Sequence, residues 1–137
     1  MNNNELFNAW LNLTKYHDRL LKAMDYKLQE QFQLGIKEFY LMHYLAQSEQ
    51  KKMKLSDLVS KVSLSHSALS RLVTRLEQYR GGSLVERQTY ANDKRSVDVF
   101  LSKKGEHCIR EMQMVINDHL QSSLSVKDIQ NIKRLVE

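Results

Sequence analysis

The stretch LSDLVSKVSLSHSALSRLVTRLEQ, Leu55 to Gln78, decides the fold. Leu55, Leu58, Val59 and Val62 recur on one side of a short helix, and Leu69, Leu72, Val73 and Leu76 on one side of a second. Between them lies SLS, Ser63 to Ser65, a short polar turn. The hydroxyl of Ser65 suits an N-cap, because it can accept from an unpaired amide of the first helical turn. Two short helices across a tight polar turn read as a helix-turn-helix.

Working outward, RGGS (Arg80 to Ser83) breaks the second helix. LVERQTY (Leu84 to Tyr90) and RSVDVFL (Arg95 to Leu101) then form a strand pair around the tip ANDK. Val97, Val99 and Leu101 pack down, while Asp98 and Ser102 keep the other face polar; Phe100 departs from that pattern and covers an edge. Residues 103–124 are helical, with Ile109, Met112, Val115, Ile116 and Leu120 on one stripe, and residues 126–136 form a last helix capped by Ser125. Upstream, residues 5–31 place Leu6, Trp10, Leu13, His17, Leu21, Met24 and Leu28 at helical spacing, widened by Phe7, Leu11 and Leu20. Such a helix is roughly 40 Å long. One small domain does not cover that much apolar surface, so part of it is expected to meet a second subunit. After a break at Gly35, Ile36, Phe39, Tyr40, His43, Tyr44 and Leu45 mark another helix, and EQKKMK, Glu49 to Lys54, reads as a loop.

The order is helix, helix, helix-turn-helix, hairpin, helix, helix. The expected fold is mainly α: a winged helix-turn-helix core with a two-stranded β wing, flanked by N- and C-terminal dimerisation helices. We read residues 1–137 as one domain, with the core at about 50–104 and the dimerisation helices at 1–35 and 103–137.

Composition narrows the partners. The chain has 137 residues, no proline and a formal charge of +5. Residues 1–49 hold five Lys/Arg against six Asp/Glu, and residues 105–137 hold four against five. Residues 50–104 hold twelve against five, so all the excess positive charge sits in the middle. A basic block on a neutral scaffold points to nucleic acid; the plainer alternative is a solvated lysine-rich surface. The N-terminus MNNNELFNAW lacks the basic start and apolar run of a signal peptide, no run has the length of a membrane span, and Cys108 is the one cysteine. The expected compartment is the cytoplasm, with no membrane partner.

The outward residues of the second short helix are Ser65, His66, Ser67, Ser70, Arg71, Thr74 and Arg75. Short hydrogen-bonding side chains let a helix approach a major groove closely, and Arg71 and Arg75 have the reach for guanine edges or phosphates. The hairpin presents Asn92, Asp93, Lys94 and Arg95 at its tip, with Arg87 on the partner strand. A narrow minor groove attracts an arginine carried on a thin projection. Asp93 can orient such a guanidinium, that of Arg95 or of Arg87, by a bidentate pair. The competing reading is a surface hairpin with a rim ion pair of little energetic value.

These stretches, LSDLVSKVSLSHSALSRLVTRLEQ, LVERQ and NDKRSVDVFLSKKG, resemble the MarR (multiple antibiotic resistance regulator) family of bacterial winged helix repressors. That family carries a Leu-Val-x-Arg strand, an Asp-x-Arg wing tip and a strand ending in Leu-Thr/Ser-x-x-Gly. Leu84, Val85 and Arg87 match the first element, and Asp93, Arg95, Leu101, Ser102 and Gly105 the rest. The resemblance implies that residues 65–75 are the recognition helix, Arg95 the minor-groove arginine and Asp93 its buttress. It implies a homodimer, built from the first helix and residues 103–137. Such a protein is a sequence-specific double-stranded DNA-binding regulator, a repressor by family habit, acting on a pseudo-palindromic operator. The chain departs from the family at QYRGGS, Gln78 to Ser83, where six residues stand in place of about three; they either extend the helix or lengthen the loop.

Family members often answer to a signal. A small aromatic or amphipathic effector is expected near Tyr16, Phe39, Tyr40, His43 and Tyr44, although an aromatic stripe at helical spacing also serves as core. Cys108, followed by Ile109 on an amphipathic helix, reads as packing in preference to a redox sensor. His17, His43, His107, Glu111 and His119 are too scattered for a metal site, so no metal or cofactor is expected. A winged helix protein-interaction module, gripping an acidic partner, is the alternative function. No phosphate loop, metal motif or nucleophile elbow supports an enzyme.

Overall fold

The computed structural model describes residues 3–90 and 92–137, with the side chains of residues 93–95 outside the description. Chain contacts divide it into two compact units, residues 35–113 and residues 1–34 with 114–137.

The first of these units contains helix α2 (Ile36–Gln47), strand β1 (Lys52–Lys54), helices α3 (Leu55–Val62) and α4 (His66–Glu77), and strands β2 (Val85–Tyr90) and β3 (Asp93–Leu101). Helix α5 (Lys103–Ser123) begins here and continues into the other unit. The core is the set of apolar positions whose spacing marks the helices: Leu41, Met42 and Leu45 of α2, Leu58 and Val62 of α3, and Leu69, Leu72, Val73 and Leu76 of α4 are all buried. Val85, Val99 and Leu101 bring the sheet onto that core, and Ile109 and Met112 bring α5.

The sheet has three antiparallel strands in the order β1-β3-β2. The β2–β3 hairpin is the expected wing. The segment read as a loop supplies β1, which pairs with β3 on the other side, Lys52 opposite Phe100 and Lys54 opposite Asp98. Three residues, two of them lysine, carry too little alternation to announce a strand. The helix α4 ends at Glu77 and Gln78 caps it, so the additional residues of Gln78 to Ser83 lengthen the loop. Gly82 allows that path with φ +120, a conformation L side chains rarely adopt.

The other unit holds helix α1 (Glu5–Phe32), the end of α5 and helix α6 (Val126–Val136). Only Leu28 and Phe32 of α1 are buried, and no residue of α6 is. Among the described residues, no helix is long and apolar enough to cross a membrane.

Candidate nucleic-acid interface

The helix-turn-helix is built by local backbone rules. Ser63 ends α3 in the left-handed conformation, φ 59, which turns the chain sharply. Two residues later Ser65 starts α4, its hydroxyl accepting from the Ala68 amide at 3.1 Å. Adjacent residues of α2 then hold the pair from behind. The Lys37 ammonium donates to the Val62 carbonyl at 3.1 Å, where the end of α3 leaves carbonyls unpaired and favours a cation. Glu38, buried, accepts from the Gly35 amide at 3.0 Å and faces the Arg75 guanidinium at 3.3 Å. Lysine to α3 and glutamate to α4 set the orientation of the two helices on α2.

The predicted interface residues of α4 fall into two groups. Ser65, His66, Ser67 and Arg71 are exposed, with the Ser65 and Ser67 hydroxyls 3.4 Å apart. Ser70 and Thr74 are half-buried, and Arg75 is exposed but paired with Glu38. The Thr74 hydroxyl donates to the Ser70 carbonyl at 3.0 Å. Arg87 reaches back from β2: Nη1 pairs with the Glu77 carboxylate, and Nη2 donates to the Ser70 carbonyl at 2.7 Å. The carboxylate paired with Arg87 is thus that of Glu77, which the sequence does not mark. It is the last residue of α4 and lies ten positions upstream of Arg87, so nothing local marks it.

The wing is seated by its sequence motif. Leu84 and Val85 are buried, and the Leu84 amide donates to the Leu76 carbonyl of α4 at 3.0 Å. At the other end, Ser102 donates its hydroxyl to the Ser83 carbonyl at 2.6 Å and accepts from the Gly105 amide at 2.9 Å, so it caps α5 and ties it to the loop that leads into β2. Along the hairpin, Arg87 pairs with Val99 and Thr89 with Val97; the register then shifts between Thr89 and Tyr90. Asp98, expected on a polar solvent face, is buried, and the Tyr90 hydroxyl donates to it at 2.5 Å. That bond holds the Tyr90 hydroxyl proton and raises its pKa, with burial and the carboxylate charge adding to the effect. Asp93, Lys94 and Arg95 begin β3, and their side chains lie outside the described ones.

The candidate effector residues divide between the units. Phe39, Tyr40, His43 and Tyr44 run along α2, with the Phe39 ring centroid about 6 Å from those of Tyr40 and His43, and His43 the same distance from Tyr44. Phe39 is buried; Lys37 and Lys61 lie over the Tyr40 and Tyr44 rings at 6.0 and 5.9 Å. The His43 Nδ1 atom meets the Gln113 amide at 3.1 Å. Tyr16 belongs to the other unit, stacked with Arg19 at 5.6 Å. Cys108 is buried, and burial first, then the Glu111 charge, pushes its thiol up to about 11. No group of three metal-binding side chains occurs among the described residues.

Comparison with known proteins places this geometry. A family model described as transcriptional regulator SarA/Rot matches residues 24–112. No curated protein matches the chain. AbsC, a MarR family transcriptional regulator from Streptomyces coelicolor, is similar at TM-score 0.79 and 23% identity, over 100% of this chain and 92% of its own. A second MarR family regulator from Streptomyces coelicolor, solved in complex with DNA, gives TM-score 0.81 at 20% identity, over 99% and 85%. The MepR–DNA complex of S. aureus gives 0.71 at 21% identity, over 93% and 92%.

Proposed function

The chain belongs to the SarA/Rot family of transcriptional regulators and has the MarR-type winged helix fold, and on that premise we propose that it acts in the cytoplasm as a homodimeric repressor. Each protomer would lay the N-terminal half of α4 in a major groove and its wing in the neighbouring minor groove of a pseudo-palindromic operator.

One observation carries this reading. Ser65, His66, Ser67 and Arg71 form an exposed polar face at the start of α4, next to the sheet of the basic central block. Arg71 has the reach for a guanine edge, the serines and helix-start amides suit phosphates, and Lys94 and Arg95 at the wing tip serve the minor groove with Asp93 as buttress. Among the described residues, none between 65 and 75 is an exposed large hydrophobic, which argues against a protein-binding face there. MepR and the second Streptomyces coelicolor regulator were each solved in complex with DNA, and this chain shares their fold.

The homodimer rests on the unit of α1 and α6, where Leu6, Phe7, Trp10, Leu135 and Val136 are exposed. Release by a small aromatic or amphipathic effector rests on the ring array of α2 with its two lysines.

The test is enrichment of duplexes from a randomised pool, followed by fluorescence anisotropy against random duplex at several salt concentrations. A dimeric wild type should keep its chosen duplex under competition. Arg71→Ala should relax preference at one position per half-site by about 1–3 kcal/mol. Arg95→Ala should weaken binding and make its salt dependence shallower by about one unit of slope per protomer. Failure to enrich any duplex would remove the DNA-binding reading.

A further inference from the structure

Arg87 lies in the wing, yet its side chain is committed to the recognition helix. Nη1 pairs with Glu77, the last residue of α4. Around Nη2 stand the Ser70 carbonyl at 2.7 Å, the Ser70 hydroxyl at 3.1 Å and the Thr74 hydroxyl at 3.2 Å. The guanidinium thus spans α4 from Ser70 to Glu77. Its side chain is 26% exposed and that of Glu77 28%, so the pair is shielded well beyond an ordinary surface ion pair. A planar cation held by acceptors at both terminal nitrogens is fixed in orientation.

Two points fix an angle between two elements. The backbone bond from the Leu84 amide to the Leu76 carbonyl fixes one point between wing and helix. Arg87, three residues further on, supplies the second. We propose that Arg87 is a positioning residue that locks the wing to the recognition helix at one angle and does not itself touch DNA. This rests on the DNA-binding reading above. A duplex offers its major and minor grooves at a fixed separation, and a protein already set to that separation loses less entropy on binding.

Lysine cannot do this work. Its ammonium is a point charge and does not bridge Glu77 and the Ser70–Thr74 end together. Charge and geometry therefore separate in two variants, Arg87→Lys and Glu77→Gln, with thermal melting used to confirm that each folds. Both are titrated by anisotropy against a duplex enriched by the wild type and against random duplex. Each should lose about tenfold in affinity for the enriched duplex. Arg87→Lys, which conserves charge, should bind random duplex as the wild type does and with the wild-type salt slope, and Glu77→Gln should bind random duplex at least as tightly as the wild type, because non-specific binding follows charge. Glu77→Gln is the sharper arm. It removes a negative charge beside the DNA face, so it should tighten binding if Arg87 is a phosphate contact and weaken it if Arg87 is a clamp. Arg87→Lys binding the enriched duplex like the wild type, or Glu77→Gln binding it more tightly, overturns the proposal while leaving DNA binding intact. If Arg87→Lys does not fold, Glu77→Gln decides alone. A wild type that enriches no duplex fails before any variant is compared, and that removes both readings.

Discussion

The carbonyl oxygen of Leu84 lies 2.0 Å from the point where a side chain on Gly105 would begin. Nothing but glycine fits there, and the obstacle is backbone, which cannot swing aside. The first turn of α5 thereby rests directly on the start of β2, with Ser102 capping the helix and holding Ser83. The Leu-Ser-x-x-Gly ending of the wing is thus a seat for the hairpin. Gly105→Ala should cost about 3 kcal/mol, as overpacking against a rigid neighbour does. Urea unfolding followed by circular dichroism would read it, and a midpoint equal to that of the wild type would show that α5 does not sit there.

Two serines separate fold from function. Ser65 caps α4 through the Ala68 amide at 3.1 Å, and Ser125 caps α6 through the Asp128 amide at 3.0 Å. Each change to alanine should cost about 1 kcal/mol of stability. Only Ser65→Ala should also weaken DNA binding, because only that cap belongs to the proposed recognition helix. Melting and anisotropy on both variants make the comparison. Equal affinities for the two would place the start of α4 away from DNA.

Sequence pattern made the helices legible and left their fastenings hidden. Leu58, Leu69, Leu72, Val73 and Leu76 repeat at helical spacing because burial selects one face, and all five are buried. Val99 and Leu101 follow the period of a strand for the same reason. Tertiary partners leave no such trace. Glu38 looks like any helix-surface glutamate until Arg75, far along the chain, arrives beside it. Asp98 breaks the expected solvent face because Tyr90 covers its charge across a register shift. The arginine of the Leu-Val-x-Arg motif was readable as basic and near the wing; its commitment to Ser70, Thr74 and Glu77 follows only from the crossing of β2 over α4.

The lone thiol should be inert. Cys108 is 8% exposed and its thiol is pushed from 9.0 to about 11, chiefly by burial. At neutral pH almost no thiolate is present, so hydrogen peroxide at concentrations that oxidise ordinary thiolates should leave DNA affinity unchanged. The same shift makes a pH prediction. Below about pH 9 both folded and unfolded chains keep the thiol protonated, and its contribution to stability is constant. Between 9.0 and about 11 the unfolded chain loses that proton first, so stability falls as pH rises through this window. Replacement by Ala or Ser should flatten that part of the stability profile. Rapid alkylation of the native protein by iodoacetamide at pH 7.5 would contradict the assignment.

Leu6, Phe7 and Trp10 at one end of the sequence are 68%, 59% and 62% exposed, and Leu135 and Val136 at the other are 73% and 76%. Both sets belong to one structural unit, and large apolar side chains at that density are the mark of a surface that meets another protein. In the proposed dimer Trp10 is the natural anchor, since tryptophan leads among residues whose loss weakens an interface. Trp10→Glu should raise the dimer dissociation constant by about thirtyfold or more, the equivalent of a hot-spot loss. Sedimentation velocity across a dilution series would show this directly, and the melting temperature should rise with protein concentration for the wild type and, for the variant, only at correspondingly higher concentrations. DNA binding should fall with dimerisation even though residue 10 is remote in sequence from the recognition helix and wing. A monomer engages each half-site alone and forfeits the high effective concentration that a tethered second recognition helix provides. Raising the variant to concentrations at which it dimerises should therefore restore much of the occupancy of a full operator while changing little on an isolated half-site. A variant that sediments as the wild type does would move the dimer contact away from the exposed start of α1.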